Sequence, residues 1–243
     1  TEFSTYTVFV SSPAPGPAAP FAGKALDHVP GDWLAALPGQ LVAAVHMVLE
    51  YGPHAERAGS EMIELFGTEN VAGSRVADGG ALIFTDFRLH PDGFGRILVQ
   101  IRDLTPRRLG RLVQRILEIE TYRLMALLAF PIARSTSAAL TGMETALQRL
   151  TERMTHRSDL EDEQRLLSEL SELASRLEDV TASNSFRLSA ARAYHALIDH
   201  RIDSLREQRL PDLQTVSEFM ERRFSPAMRT CASVSERQDT LAI

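Results

Sequence analysis

The chain is poor in cysteine and lysine, and these shortages limit what it can be. Cys231 is the only cysteine among 243 residues, so neither an intramolecular disulfide nor a cysteine-based zinc cage can form. The lack of disulfides fits a reducing compartment. Lys24 is the only lysine, and we attribute the prevalence of arginine to GC-rich bacterial coding before any functional preference.

The sequence also lacks a long hydrophobic run. No stretch reaches the roughly 18 consecutive apolar residues that indicate a membrane-spanning helix. The most apolar segment, LEIETYRLMALLAFPIA at residues 117–133, has Glu118, Glu120 and Arg123 in its first half and Pro131 near its end. We therefore expect a core helix here. The first residues, TEFSTYTVFV, lack the basic start and long apolar block of a signal peptide.

Recognisable catalytic and nucleic-acid-binding motifs are missing as well. There is no G-x-S-x-G motif, no phosphate-binding glycine loop before Lys-Ser/Thr, and no HExxH zinc motif. A formal net charge of −6 and the absence of basic residues interleaved with aromatic ones argue against nucleic acid as a partner. We therefore predict a protein that is not an enzyme, has no cofactor and binds no nucleic acid.

The first hundred residues contain segments typical of β-structure. Residues 3–10 are rich in aromatic and β-branched side chains and are predicted to form a strand. Residues 39–52 fit either a buried strand or a helix, and the flanking Pro-Gly and Gly-Pro pairs favour the strand. A short amphipathic helix is predicted at residues 54–67. Asp78-Gly79-Gly80 and Pro91-Asp92-Gly93 predict two hairpin turns in the strand-rich region that follows.

The second half of the chain has a helical pattern. Thr105 and Pro106 predict the N-cap and first turn of a long helix. Further on, apolar residues recur at alternating spacings of three and four, as in coiled coils. Breaks are predicted near residues 156–159, 183–185 and 210–211. The three apolar seams are Leu140, Met143, Leu147, Leu150 and Met154; Leu166, Leu170, Leu173, Leu177 and Val180; and Leu188, Ala191, His195, Ile198, Ile202 and Leu205.

These patterns predict an α+β fold. An antiparallel or mixed sheet of about four to six strands packs on a long helix, and an antiparallel coiled-coil-like helical bundle follows. The predicted parts are a sheet domain at residues 1–104, a connecting core helix at residues 105–134 and the bundle at residues 135–243.

Glu120 is the first candidate site residue. Helical spacing places it on a face whose other members are apolar, namely Val113, Leu117, Leu124 and Leu127. A buried charged carboxylate without a partner is strongly destabilising, so Arg123 at i+3 is expected to form an ion pair with it. Arg88 or Arg96 from the sheet is the alternative partner. The functional alternative is a carboxylate with a raised pKa or a cation ligand.

The segment TDFRLHPDGFGRI at residues 85–97 gathers charged side chains around one hairpin. If strands flank the turn, Asp86, Arg88 and His90 lie on one face of the sheet. Such a row can bind an anion or a metal, and Asp86, His90 and Glu120 are the candidate metal ligands. The alternative is that the row is merely the solvated face of the sheet.

Four arginines at helical spacing, Arg107, Arg108, Arg111 and Arg115, begin the long helix. Arginines in a first helical turn oppose the helix dipole, which indicates an outside partner. That partner is phosphate, an anionic lipid surface or an acidic helix. Neutralisation by the acidic helices of the same protein is the alternative.

A second possible metal site lies late in the chain. His195, Asp199 and Asp203 are spaced i, i+4 and i+8, with His200 beside them. Histidine and carboxylate on one helix face can share a cation. The alternative is a hydrogen-bonded core histidine, with both aspartates paired to arginines.

Three long blocks resemble one bacterial family. They are SRVADGGALIFTDFRLHPDGFGRILV, LTPRRLGRLVQRILEIETYRLMALLAFPIA and SFRLSAARAYHALIDHRIDSLREQRLPDLQTVSEFMERRFSPAMRTC. The family is domain of unknown function 3422, described as predicted membrane-anchored proteins. The resemblance implies an additional N-terminal segment, and further coiled coil leading to a C-terminal hydrophobic anchor. We therefore expect this chain to be an internal, soluble piece of a longer protein. The resemblance implies no reaction and no catalytic residues.

The expected function follows from the fold and the resemblance together. It is that of a soluble, cytoplasm-facing domain of a protein anchored in the bacterial inner membrane, acting in assembly or regulation through helix–helix contacts as a homo-oligomer. One alternative is a regulatory cation-sensing domain of a CorA-like divalent-cation transport system, whose plan of an α/β domain and long helices is similar. The other is a hydrolase or transferase with an unrecognised site.

Overall fold

A computed structural model describes residues 3–11, 20–51, 59–155 and 159–241. The chain divides into two compact units. Unit 1 comprises Thr1–Glu120 and Arg201–Phe219, and unit 2 comprises Thr121–His200 and Met220–Ile243. The fold is α+β with a mixed sheet, which confirms the predicted class.

Unit 1 is built around a sheet whose strand order is β1-β4-β3-β2-β5. Its strands are β1 (Val45–Tyr51), β2 (Ala72–Val76), β3 (Ala81–Thr85), β4 (Gly95–Ile101) and β5 (Gln208–Arg209). β1 runs parallel to β4, and the other neighbours are antiparallel. The strands predicted on either side of the two turns are therefore confirmed, and residues 39–52 contain a strand as preferred.

The strand predicted at residues 3–10 is wrong. None of these residues that the structure describes, 3–10, belongs to a strand. Strand propensity reports how well a side chain fits a pleated surface, and a strand forms only when its backbone pairs with a neighbour. The turn between β2 and β3 matches its prediction, because Ala77 and Asp78 both have the left-handed backbone that tight hairpins require.

The core of unit 1 combines the sheet with helix α2 (Gly59–Phe66) and with residues 210–213, which precede α6 (Val216–Arg223). Met62 and Phe66 on α2 pack against Phe84 and Leu98 of the sheet, and Leu213 completes the cluster. α2 lies within the helix predicted at residues 54–67, of which residues 54–58 fall outside the described part. Burying these large side chains is the main favourable term in the stability of the unit. A short 3-10 helix at Ala25–His28 and α1 (Gly31–Ala35) precede β1.

The long helix α3 spans Pro106–Leu127, and its start agrees with the prediction. Its buried face differs from the predicted one by part of a turn. The buried residues are Leu109, Leu112, Ile116, Ile119, Glu120, Arg123, Met125 and Ala126, whereas Val113, Leu117, Leu124 and Leu127 are only partly buried. Pro131 explains where α3 ends, because its ring clashes with the carbonyl of residue 127, four positions earlier.

Unit 2 contains α4 (Ala129–Met154), most of α5 (Leu160–Asp203) and α7 (Ser225–Leu241). α6 (Val216–Arg223) crosses the boundary between the units. The break predicted at residues 183–185 is wrong, because α5 is continuous there. Asn184 and Ser183 favour turns in isolation. Here the amide of Asn184 donates a hydrogen bond to Thr136 Oγ1 at 2.7 Å, and the hydroxyl of Ser183 donates to the carbonyl of Val180.

Two contacts show that α4 and α5 pack antiparallel. Asn184 is opposite Thr136, and Glu169 accepts two hydrogen bonds from Arg153 at 2.8 and 3.0 Å. Residue numbers on the two helices therefore rise in opposite directions along the contact. α7 packs along α4 through Arg237. The finer description of these helices as a coiled-coil bundle stays a prediction.

In the described part of the chain, one helical stretch is long and apolar enough to cross a membrane. It is Pro106–Met154, which contains an 18-residue window of mean hydropathy 1.4, 33% of it buried. The core helix of a soluble protein has the same properties. The expectation that residues 117–133 form a core helix stays a prediction.

Candidate functional site

The loop between β3 and β4 holds a buried carboxylate in a strained backbone. Asp86 directly follows β3 and is almost fully buried. The backbone N–H of Arg88 donates to its Oδ1, and the N–H of Phe87 donates to Thr85 Oγ1, both at 3.2 Å. Phe87 adopts a φ of 51°, which is unfavourable for a bulky residue, and its ring packs on Phe219 at 4.8 Å between centroids. The loop is therefore held by specific contacts.

Asp86 is in close contact with His90 on the same loop. His90 Nε2 lies 3.1 Å from Asp86 Oδ2, and both side chains are largely buried. The two atoms do not meet the geometry of a hydrogen bond, so the contact is a close approach of polar atoms. Two of the three candidate metal ligands are therefore neighbours, but residues 86–90 form a loop and not the strand row that was predicted.

The third candidate, Glu120, lies on α3 and is buried. A Cβ placed on Gly95, the first residue of β4, would be 3.6 Å from Glu120 Oε1, so Glu120 faces the start of that strand. Within the residues that the structure describes, no group of three or more His, Cys, Asp or Glu side chains is arranged to hold a metal ion. The metal role of Asp86, His90 and Glu120 therefore stays a prediction.

The three arginines predicted as partners of Glu120 lie in different environments. Arg123 is buried on the same helix as Glu120. The ion pair between these two side chains stays a prediction. Arg96 places its guanidinium 5.3 Å from the ring centre of Phe21. Arg88 is exposed.

Sequence reasoning missed a charged cluster at the start of β1. Lys24 Nζ donates to Asp92 Oδ2 at 2.6 Å, and His46 Nε2 lies 3.6 Å from the same oxygen. The ring of His46 stacks on Phe94 at 4.3 Å. The hydrogen bond from Lys24 lowers the pKa of Asp92 to about 2, and burial lowers the pKa of His46 below its usual value. No sequence signal joins these residues, because they are far apart along the chain.

The arginine stripe at the start of α3 separates into two pairs. Arg108 donates to Asp78 and to the carbonyl of Ala77, and Arg115 donates to the carbonyl of Ser204 at 3.0 Å. Arg107 and Arg111 are exposed and have no hydrogen-bond or ion-pair partner among the described residues. The anion or partner surface of the four arginines stays a prediction, and Arg107 and Arg111 are its exposed members without a described partner.

His195 lies close to one predicted neighbour. Its Nε2 is 3.7 Å from Asp199 Oδ2, and its ring meets Phe224 edge-on at 5.4 Å. His195 is partly buried, with 30% of its side chain exposed, and the core-histidine alternative stays a prediction. His200 and Asp203 are not brought into a metal-binding group with His195 in the part of the chain that is described.

Another residue that sequence reasoning missed is Glu207, which caps α6. Its carboxylate accepts hydrogen bonds from the hydroxyl of Ser74 at 2.6 Å and from the N–H groups of Val216 and Ser217, both at 2.9 Å. A local signal for the start of this helix was readable, because Thr215 and Glu218 form a reciprocal capping box. No comparable signal points to Glu207.

The clearest exposed apolar surface of unit 2 lies on α5. Leu160, Leu167 and Leu170 are 71%, 66% and 39% exposed. We call these three residues the distal seam. Near the end of α4, an open groove of about 500 Å³ is lined by Glu144, Leu147, Gln148, Thr151, Glu152, Thr155 and Leu241. This end of the helices therefore offers apolar side chains that the described residues do not cover.

Comparison with known proteins identifies the family and no closer relative. No curated protein and no solved structure matches the chain. The model of one family, described as protein of unknown function (DUF3422), matches residues 1–243. This match extends over the full length of the sequence and confirms the resemblance of the three long blocks. The chain therefore belongs to the DUF3422 family.

Proposed function

We propose that this chain is an assembly module that binds a second copy of itself through the distal seam of α5. In this proposal it forms the soluble, cytoplasm-facing part of a protein anchored in the inner membrane. The observation that carries the assembly role is the exposure of three leucines at helical spacing. The membrane attachment follows from the family resemblance, and fractionation of cells expressing the full-length gene tests it.

The spacing of the distal seam suits helix–helix packing. Leu160 and Leu167 are seven residues apart, and Leu170 follows three residues later, as at successive core positions of a heptad. Fully burying a leucine contributes about 1.5–3 kcal/mol, so three leucines supply a substantial part of the free energy of a weak dimer. Met154, at the end of α4, is also exposed and enlarges the apolar surface.

The seam lies on helices that are already ordered. Asn184, near the middle of α5, pairs with Thr136 in the first third of α4, and Arg153 pairs with Glu169 closer to the connection of the two helices. The Arg153–Glu169 contact joins α5 to α4 at the distal seam, and the Asn184–Thr136 contact joins them further along α5. Binding through preordered helices avoids much of the entropic cost of ordering a flexible segment.

The charge around the seam predicts how salt affects association. Residues 160–180 contain seven acidic residues and two arginines. Two copies that meet through this surface repel each other electrostatically, and added salt screens that repulsion. Seam-to-seam association therefore strengthens as salt rises. Docking of the acidic segment onto Arg107 and Arg111 of a second copy has the opposite dependence, so weakening by salt contradicts the seam-to-seam arrangement.

The test is a double substitution, Leu167→Glu with Leu170→Glu. Two charges at the centre of the contact should weaken self-association at least about tenfold, which corresponds to about 1.4 kcal/mol. The matched control is Leu89→Glu, which changes a leucine of similar exposure, 62%, outside α5. Sedimentation velocity over a range of concentrations gives the dissociation constants, and circular dichroism checks the helical content. Equal dissociation constants for the double variant and the wild type would overturn the proposal.

No specific observation on the described residues favours cation sensing or a hydrolase or transferase activity. Cation sensing requires clustered oxygen ligands. The described residues contain no group of three or more metal-ligating side chains. Asp86 and His90 are close together, but within the described ranges no third metal-ligating side chain joins them. We therefore do not propose either alternative.

A further inference from the structure

Among the described residues, the β1 edge of the sheet in unit 1 has no strand beside it and is suited to strand addition. β1 is the terminal strand of the sheet, and β4 is the only described strand that pairs with it. Alternate residues of a strand direct their N–H and C=O groups to its two sides, so Val45–Leu49 present hydrogen-bonding groups to this edge. Proteins often protect such edges with proline or lysine, and Val45–Leu49 contains neither.

A segment with strand character lies elsewhere in the same unit. Residues 3–10, FSTYTVFV, consist mainly of aromatic and β-branched residues, yet they pair with no described strand. Phe9 is 79% exposed, and Tyr6, Val8 and Val10 are exposed as well. Apolar side chains that cluster on a surface indicate a site of interaction. This segment therefore has the side chains of a strand without the backbone pairing.

We propose that residues 3–10 of one copy add to the β1 edge of a second copy. Main-chain hydrogen bonds supply affinity in such strand addition, and alternating side chains supply specificity. Val48 on β1 is partly buried against the core together with Phe21 and Leu65, so an added apolar strand extends an existing hydrophobic surface. The β1 edge thus supplies main-chain hydrogen-bonding groups and an apolar surface, and residues 3–10 supply apolar and β-branched side chains that suit it.

We assign the occupant to a second copy because the described residues of one chain do not pair these two parts as strands. In the described residues of one chain, residues 3–10 do not pair with β1, and the ring of Tyr6 instead meets Trp33 edge-on at 5.7 Å. Reciprocal exchange of this segment between two copies fills both edges and closes a symmetric dimer. This contact uses unit 1 and is independent of the distal seam on α5.

Proline substitution tests the strand. Thr7→Pro with Val8→Pro removes two consecutive N–H groups, one of which faces β1 in any register. We expect the dimer formed through this edge to weaken at least about tenfold, the effect of about 1.4 kcal/mol. The control, Thr7→Val with Val8→Ile, keeps β-branched side chains and both N–H groups, and should associate as tightly as the wild type. Both variants are measured in the Leu167→Glu and Leu170→Glu background, which isolates this contact from the distal seam.

Disulfide trapping identifies the occupant. In a Cys231→Ser background, one chain carries Val8→Cys and a second, mass-labelled chain carries Met47→Cys or Val48→Cys. Oxidation of the mixture should give a crosslinked heterodimer, because the segment and the edge belong to different copies. A crosslink that forms only when both cysteines are on one chain overturns the proposal in favour of pairing within the chain. Absence of any crosslink, or equal association of the proline variant and its control, overturns strand addition itself.

Discussion

The two halves of α5 both have apolar repeats, but the chain covers these apolar side chains to different extents. In the half nearer the C-terminal end of the helix, Leu188, Ala191 and Ile198 are buried. In the other half, Leu177 is buried and Leu166, Leu173 and Val180 are partly buried, whereas Leu160 and Leu167, which lie outside that repeat, are mostly exposed. Heptad spacing therefore shows that a helix has an apolar face, and it does not show whether the same chain covers that face.

The difference arises from the neighbours of each half. Around the buried half, Tyr122 of α3 stacks on Tyr194 at 5.5 Å between ring centroids, and Phe224 meets His195 edge-on. Around the exposed half, α4 meets α5 through the Arg153–Glu169 pair, whose side chains are about half exposed. An exposed ion pair contributes little to stability. The exposed half is therefore the one with apolar surface left for a partner.

The largest expected effect is a difference in unfolding free energy between alanine substitutions in the two halves of α5. Ile198→Ala removes a fully buried side chain and should lower the free energy of unfolding by about 2–5 kcal/mol. Leu167→Ala changes an exposed side chain and should change it by about 0.5 kcal/mol or less. Urea unfolding at concentrations where the chain is monomeric measures both. Similar losses for the two variants would contradict the burial difference.

A smaller effect tests the hydrogen bond that joins α4 and α5 between these halves. Asn184→Ala leaves the buried hydroxyl of Thr136 without its partner, which should lower the free energy of unfolding by about 1–2 kcal/mol. Ser183→Ala is the control, because Ser183 is exposed and its hydroxyl bonds only within its own helix. Both changes raise helix propensity by similar amounts. Equal unfolding free energies for the two variants would show that the bond does not hold the helices.

The smallest expected effect concerns pH and the contact of α4 with α7. Arg237 donates to both carboxylate oxygens of Glu144, at 2.8 and 2.7 Å, and these bonds lower the pKa of Glu144 from its usual 4.5. A lowered folded-state pKa stabilises the protein above the unfolded-state value, and this stability is lost as pH falls through the folded-state value.

We therefore expect the wild type to lose stability below pH 4.5 more steeply than Arg237→Gln. Above that pH the difference between the two proteins should be constant. Urea unfolding across this pH interval measures the two slopes, and parallel slopes would show that the Glu144–Arg237 bonds do not contribute to the acid response. The effect is small because solvent screens this partly exposed pair.

Predictions that depended on short-range signals were the most accurate. The strands around Asp78–Gly80 and Pro91–Gly93 form as predicted because a tight turn brings its own neighbouring strands together. β5 was not predicted, because Gln208 and Arg209 have no strand pattern and pair with β2, which is distant in sequence. The break predicted at residues 183–185 failed for the same reason. Thr136 lies far from Asn184 in sequence, and no local pattern reports their hydrogen bond.

The candidate site also contains features that local sequence signals indicate and features that depend on contacts between distant segments. The sequence predicted Asp86 and His90 in one row along a strand, whereas they lie in a loop that brings their side chains to 3.1 Å. The cluster of Lys24, His46 and Asp92 was missed, because parallel pairing of β1 with β4 assembles it from distant segments. The four arginines of α3 were visible as a stripe, but their division into an internal pair and an exposed pair depends on the acceptors that surround each side chain.

The sequence by itself determined the α+β class, the turns of the central hairpins, the start of α3 and the apolar repeats of the later helices. These follow from local backbone preferences and from periodicity. The tertiary structure alone decided which apolar faces are covered, that β1 pairs with β4, and which charged groups meet. Those outcomes depend on contacts between residues far apart in the chain. Leu167 and Ile198 illustrate the limit, because two similar side chains on one helix have opposite fates.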